Sequence, residues 1–267
     1  MIKRLLYSPF LAQIVPTRRC NLRCGYCNEY ERDSEHVKYS VMLERLRKIR
    51  SLGTLAIEFS GGEPLLHPEI YKLIAFCRGL GFLRRMLITN GYLINEESID
   101  MLNCAGLNDL QLSIDCVTPN KVTVETFEPL RKKLVALTKY AEFRVTINTV
   151  ICSSPNGDVK EVVKYVGDMG FKLRACLIPG KSVPFKCRAG SRYLYVDEFG
   201  QVNWCSQTRD IFSKDLMSYS DADLKEQFYS YKQCHAHCTV ACVRTTSKLD
   251  RWRSQNRKKS VDKASIG

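Results

Sequence analysis

No run of apolar residues in this chain approaches the roughly 20 that a helix needs to cross a bilayer, so a helical membrane span is not expected. The opening stretch MIKRLLYSPFLAQIV is too short and too polar for a secretory signal with a small-residue cleavage site. The expected compartment is therefore the cytoplasm, and no membrane partner is expected. Acidic residues are in deficit: 28 Asp and Glu face 41 Lys and Arg, a formal net charge of +13. Nearly half of that excess sits in residues 244–267, where eight Lys and Arg outnumber two Asp. This basic stretch has one aromatic residue, Trp252, and lacks the interleaved rings or the module of a nucleic-acid binder. It reads as a solvated, disordered tail over 247–267, and nucleic acid is not the expected partner. There is no internal repeat beyond the alternation described below, and no other biased segment.

At 267 residues and 45% hydrophobic residues, the chain can bury one full core and a small appendage. Thirteen cysteines in a chain without an export signal point to metal ligation, catalysis or core packing rather than to disulfides.

Short apolar runs alternate with helical patterns from residue 11 onward. LAQIVP (11–16), TLAIEF (54–59), LRRMLIT (83–89), DLQLSI (109–114), FRVTINTV (143–150) and FKLRACLI (171–178) read as strands, being rich in apolar and β-branched residues. Residues 39–51, 68–80, 96–104, 128–140 and 159–169 have helical composition, several with apolar residues three and four apart. Gly106 and Gly170, each just before a strand, suit left-handed helix exits. Six strands with five intervening helices imply an α/β fold with a parallel sheet, doubly wound or a partial barrel. Functional loops are then expected at the C-terminal ends of the strands. The pattern stops after residue 178. Residues 179–186 read as a linker, with no sixth helix, and RYLYVDEFGQVNWC as a hairpin around Asp197 and Gly200. A helix over 222–231 and the run CHAHCTVAC follow. The expected domains are 1–178, a cysteine-rich module over 179–246, and the tail.

The stretch PTRRCNLRCGYCNEY, residues 16–30, carries three cysteines spaced C-x3-C-x2-C directly after the first strand. A structural zinc site closes with four protein ligands, whereas three thiolates leave a metal or cluster with an open position. Cysteine thiolate is the usual ligand of iron–sulfur clusters, and a [4Fe–4S] cubane on three cysteines keeps one iron free for another ligand. With aromatic Tyr26 before Cys27, the loop resembles the signature of the radical S-adenosylmethionine (radical SAM) superfamily. The second strand ends in Gly61-Gly62-Glu63-Pro64, which resembles the family's GGEP motif. Thr89-Asn90-Gly91 and Leu112-Ser113-Ile114-Asp115 resemble its softer segments after the third and fourth strands.

The resemblance implies a partial (β/α)6 TIM-like barrel over residues 11–178. Cys20, Cys24 and Cys27 would hold a [4Fe–4S] cluster whose free iron chelates SAM, and Gly61, Gly62, Glu63 and Pro64 would contact the SAM amino group. Ser113, with Asn90 and Asp115 behind it, would meet the ribose, and Tyr26 would flank adenine. One electron would cleave SAM to a 5′-deoxyadenosyl radical that abstracts hydrogen from substrate. An electron donor such as flavodoxin or ferredoxin is implied.

The late cysteines Cys187, Cys205, Cys234, Cys238 and Cys242 open with C-x12-G-x4-C, which resembles the SPASM and twitch extensions of this superfamily. Five thiols imply one auxiliary iron–sulfur cluster held by Cys187 and Cys205 plus two of the last three. Residues eight apart in one helix are separated by about 12 Å along its axis, so residues 234–242 are not one helix or one thiol is spare. His235 and His237 leave a zinc site open as an alternative. Cys77, Cys104, Cys116, Cys152 and Cys176 read as core or chance thiols. The expected function is a radical SAM enzyme acting on a peptide or protein side chain. The alternatives are an enzyme for a small metabolite and a non-catalytic metal-binding regulator. No catalytic acid or base is singled out among Glu63, Asp115 and the later acids.

Overall fold

The computed structural model describes residues 6–29, 31–119, 123–151, 156–177, 185–209, 211–232, 234, 238 and 240–249. The expectations for Cys152, His235, His237, the linker's first residues and the far basic tail lie outside them.

Six strands form the parallel part of one sheet: β1 (Leu11–Thr17), β2 (Ala56–Gly61), β3 (Arg84–Thr89), β4 (Asp109–Ser113), β5 (Arg144–Ile151) and β6 (Lys172–Leu177). They are joined by α1 (Tyr39–Ser51), α2 (Ile70–Gly79), α3 (Glu96–Ala105), α4 (Arg131–Tyr140) and α5 (Asn156–Asp168). The strands lie side by side in chain order, each parallel to the next. This is the α/β partial barrel expected from the sequence. Gly106, at φ 78°, ends α3 in the left-handed conformation that Gly adopts without steric penalty.

Side chains alternate across the strands, so each strand serves two cores. Ala12, Ile14, Ile57, Phe59, Leu87, Leu110 and Leu112 pack outward against helix residues such as Met42, Leu46, Leu73, Ile74 and Leu102. Leu11 and Val15 face the other way, into a second cluster with Tyr193, Tyr195, Cys205 and Val243. The buried polar residues Gln13, Glu58 and Gln111 occupy positions of this inner phase on β1, β2 and β4.

That second cluster shows where the late segment sits. The expected hairpin forms from β7 (Tyr193–Val196) and β8 (Gln201–Asn203), and β9 (Ser213–Asp215) follows. It is not a separate sheet: β7 pairs parallel with β1, Leu11 opposite Tyr193, and extends one sheet to nine strands. All four β7 residues are buried, as suits a strand covered on both faces. α6 (Asp221–Tyr229) begins with a capping box on Ser220. α7 (Ala241–Leu249), which the sequence reading did not anticipate, packs against β7. Cys242 lies in its first turn, whereas Cys234 and Cys238 are outside any helix. Residues 234–242 are thus not one helix.

Candidate functional site

A cleft with about 530 Å³ of empty space opens at the C-terminal ends of β1 to β4. Cys20, Cys24, Tyr26 and Cys27 form one side, and Ser60, Gly61, Gly62, Ile88, Thr89, Asn90 and Ser113 the other. The sheet therefore brings the separately matched segments to one place, as the parallel strands required.

The paired glycines have a definite local cause. A Cβ on Gly62 would stand 2.1 Å from the Arg19 carbonyl and 2.3 Å from that of Arg18; one on Gly61, at φ 120°, would stand 2.5 Å from the Thr17 carbonyl. The backbone bonds Gly62 N–H to Thr17 O (3.0 Å) and Glu63 N–H to Arg19 O (2.7 Å) run through that contact. The glycines let the end of β2 press against the start of the cysteine loop, setting its position relative to the sheet.

Glu63 does not present its carboxylate to the cleft. It is fully buried and accepts hydrogen bonds from Leu65 N–H (2.9 Å), Thr89 Oγ1 (2.8 Å) and Asn90 N–H (2.8 Å). Burial still pushes its pKa up to about 7. The residue is a clip between the ends of β2 and β3. Pro64 is buried as the first residue of the short 3-10 turn Pro64–Leu66. Asn90 lines the cleft, but its amide donates to Asn21 Oδ1 (2.8 Å) and approaches Cys20 Sγ at 3.7 Å. It steadies the cysteine loop. Ser113 lines the cleft.

Asp115 departs from the expected ribose contact. It is 1% exposed, and its oxygens accept from Val150 N–H (2.8 Å), Tyr26 Oη (2.7 Å) and Thr123 Oγ1 (2.9 Å). The Tyr26 hydroxyl also lies 2.9 Å from Glu125, which lines the cleft. Burial, followed by the charge of Asp115, pushes Glu125 up to about 8. No motif marked Glu125. The segment after β4 carries it there by doubling back, which no short pattern encodes.

Burial pushes the thiols of Cys20 and Cys24 up to about 11, with the nearby carboxylates adding to the shift. At neutral pH they carry protons that metal binding must displace. None of the three loop cysteines forms a disulfide. Three thiols beside an open cleft fit a cluster that keeps one position for another ligand.

Among the late cysteines, Cys187, Cys205, Cys234 and Cys238 lie near enough to act on one another electrostatically. Cys187 feels the charges of Cys234 and Cys238, and Cys238 those of Cys205 and Cys234. Cys242 donates its thiol to the buried Glu58 carboxylate at 3.5 Å. Among the described residues, no three His, Cys, Asp or Glu groups converge on a single ion. Cys77 and Cys116 are buried thiols, and Cys104 is exposed.

The latches between the two regions are charged and specific. Glu29, just past the cysteine loop, accepts from Tyr195 Oη (2.7 Å) and pairs with Arg209 (3.2 Å). Arg18 pairs with Glu198 (3.3 Å), and Asn28 donates to the Ser206 carbonyl (3.1 Å). The late segment thereby braces both ends of the loop.

A parallel partial barrel with a three-thiol loop and a glycine-pressed cleft at its strand ends defines a class of cluster-bearing α/β protein. Within that class the chain belongs to the radical SAM superfamily, whose family model matches residues 14–182. A [4Fe–4S] cluster and SAM are typical of this superfamily of enzymes. Among curated relatives, GTP 3′,8-cyclase of Chlorobaculum tepidum is 30% identical over 152 residues, 55% of this chain and 46% of that one. PqqA peptide cyclase of Methylorubrum populi is 33% identical over 184 residues, 63% of this chain and 47% of that one. The chain thus spans less than half the length of these relatives. Among solved structures, SuiB of Streptococcus suis bound to S-adenosylmethionine superposes with a TM-score of 0.64 at 16% identity, over 82% of this chain and 68% of that one. The same protein bound to its precursor peptide SuiA gives 0.63 at 17% identity, over 89% and 71%. These two likenesses establish the fold. Among the described residues no helix is long and apolar enough to cross a membrane.

Proposed function

We propose that this chain is a radical SAM enzyme in which Cys20, Cys24 and Cys27 hold the cluster that binds SAM, and that its substrate is a peptide. The observation that carries the reading is the meeting of three thiols outside any disulfide and the Gly61-Gly62 backbone in one cleft at the strand ends. When bound, the cluster and SAM supply one-electron cleavage of SAM and hydrogen abstraction from the substrate. The chain's own residues orient and enclose that chemistry. Residues 60–62 offer backbone carbonyls to the amino group, Ser113 offers a hydroxyl to the ribose, Tyr26 forms part of the wall, and Asn90 and Glu63 fix the loop from behind. Cys187, Cys205, Cys234 and Cys238 hold an auxiliary iron–sulfur cluster in a SPASM- or twitch-like module. An electron donor of the flavodoxin or ferredoxin class supplies the reducing equivalent.

The peptide assignment is supported by the PqqA peptide cyclase relative and by the fold shared with SuiB, solved with its precursor peptide. The net charge of +13 suits an acidic precursor at low salt. A small-molecule substrate is favoured by one finding, the GTP cyclase relative. Anaerobically reconstituted protein, reduced with SAM present, should release 5′-deoxyadenosine. Deuterium carried into that product from labelled acidic peptides supports the peptide reading. Deuterium arriving only from labelled nucleotides replaces it with the second reading.

A further inference from the structure

The wall of the cleft opposite the glycines is built by a loop that doubles back after β4. Asp115 N–H donates to the Glu125 carbonyl (2.9 Å), and Phe127 N–H to the Cys116 carbonyl (3.0 Å), which bridges Cys116 to Thr126. This sets Glu125 beside Asp115, and the Tyr26 hydroxyl reaches both carboxylates, at 2.9 and 2.7 Å. The two acids differ in access. Asp115 is sealed, with both oxygens engaged, whereas Glu125 is half-buried and lines the same cleft as the three loop thiols and Gly61-Gly62. Among the described residues no Lys or Arg pairs with either acid, and the nearby charges that act most on Glu125 are the carboxylates of Asp115 and Glu63.

Two acids sharing one phenol at the wall of a partly enclosed cleft favour a positive charge in that cleft, because low dielectric walls strengthen the attraction and exclude competing water. SAM brings two positive groups, the sulfonium and the α-ammonium, and a cation seated beside Glu125 favours its ionised form over the protonated one that burial and Asp115 alone favour. We propose that Glu125 supplies the negative charge against which a cationic group of SAM is held, with Tyr26 and Asp115 positioning its carboxylate. The inference rests on the SAM reading above and extends it to a residue outside every matched motif.

The test compares SAM with S-adenosylhomocysteine, which keeps the α-ammonium but has a neutral thioether. Affinities of both are measured by calorimetry on anaerobically reconstituted wild type, Glu125→Gln and Glu125→Asp, with iron content and absorbance confirming an intact cluster. Glu125→Gln should weaken SAM about tenfold or more, the scale of a lost charge-assisted hydrogen bond. Glu125→Asp, which keeps the charge, should recover part of that loss. If S-adenosylhomocysteine is unaffected, Glu125 faces the sulfonium; if both ligands weaken together, it faces the α-ammonium. Should Glu125→Gln fail to load iron, Glu125→Ala is read in the same way. SAM affinity within twofold of wild type in a cluster-loaded, charge-removed variant overturns the proposal. A cluster-loaded wild type that binds no SAM overturns the cofactor reading itself, an outcome distinct from loss in the variant alone.

Discussion

The two thiol groups of this chain are assembled in opposite ways. Cys20, Cys24 and Cys27 come from one loop, at the edge of an open cleft. The late four come from separate segments between residues 187 and 238, with Cys205 buried and the others half-buried. A contiguous loop can be recognised from spacing alone, and its position follows once the strand before it is known. A dispersed set needs the tertiary fold to bring it together, and here that fold is the same sheet: β7 lies beside β1, so the strand preceding one group is hydrogen-bonded to a strand between members of the other. On the proposed reading the difference also separates roles: three thiols beside the cleft hold a cluster that takes a ligand, and the late four hold one that does not.

The sharpest way to break this division is at the exposed loop. Replacing Cys20, Cys24 and Cys27 together by Ala should reduce 5′-deoxyadenosine formation to the uncatalysed background, measured by chromatography after reduction with SAM. Persisting cleavage would place the chemistry at the late group. Next in size is Gly62→Ala. Its Cβ would meet two backbone carbonyls at 2.1 and 2.3 Å, neither of which can swing aside as a side chain would. The loop must shift, so SAM binding and cleavage should fall by at least about tenfold through misplacement of the reacting groups. Circular dichroism would show the helices retained.

A smaller effect lies under the barrel, where Cys242 meets Glu58. Burial pushes Glu58 up to about 7. A carboxyl whose folded pKa is raised favours the folded state when protonated. Its contribution is fully present below its ordinary value near 4.5 and is lost as pH rises through about 7. Stability should therefore decline between about pH 4.5 and 7, with Glu58 contributing on the order of 3 kcal/mol. Glu58→Gln should flatten that part of the profile in denaturant titrations; an unchanged slope would show that Glu58 is not the group responsible.

How much of this was legible in the sequence depends on the range of the contacts. Strands and helices through residue 177 could be read because each carries its own periodicity, and parallel βα order then fixes which loops meet. The continuity of β7 with β1 was not read, because hairpin signals at Asp197 and Gly200 describe only the local turn. The fully apolar run Tyr193–Val196 was the available sign of a strand covered on both faces. α7 was missed since its first turn lies inside a cysteine run and its last within a basic stretch. Glu63 was found by motif but given an outward role. Its burial follows from Thr89 and Asn90, which adjoin it only in the fold. Glu125 carried no signal at all, because a doubled-back loop puts it in the cleft.

The measurement that most directly tests the division into a three-thiol and a four-thiol site is iron per chain after anaerobic reconstitution, read with Mössbauer spectra. Wild type should hold about eight irons in two cubanes. The loop triple variant should hold about four, Cys238→Ala should lose the late cluster alone, and Cys242→Ala should match wild type. Four irons in wild type, or loss of a cluster in Cys242→Ala with Cys238→Ala unaffected, would contradict the assignment of the late thiols.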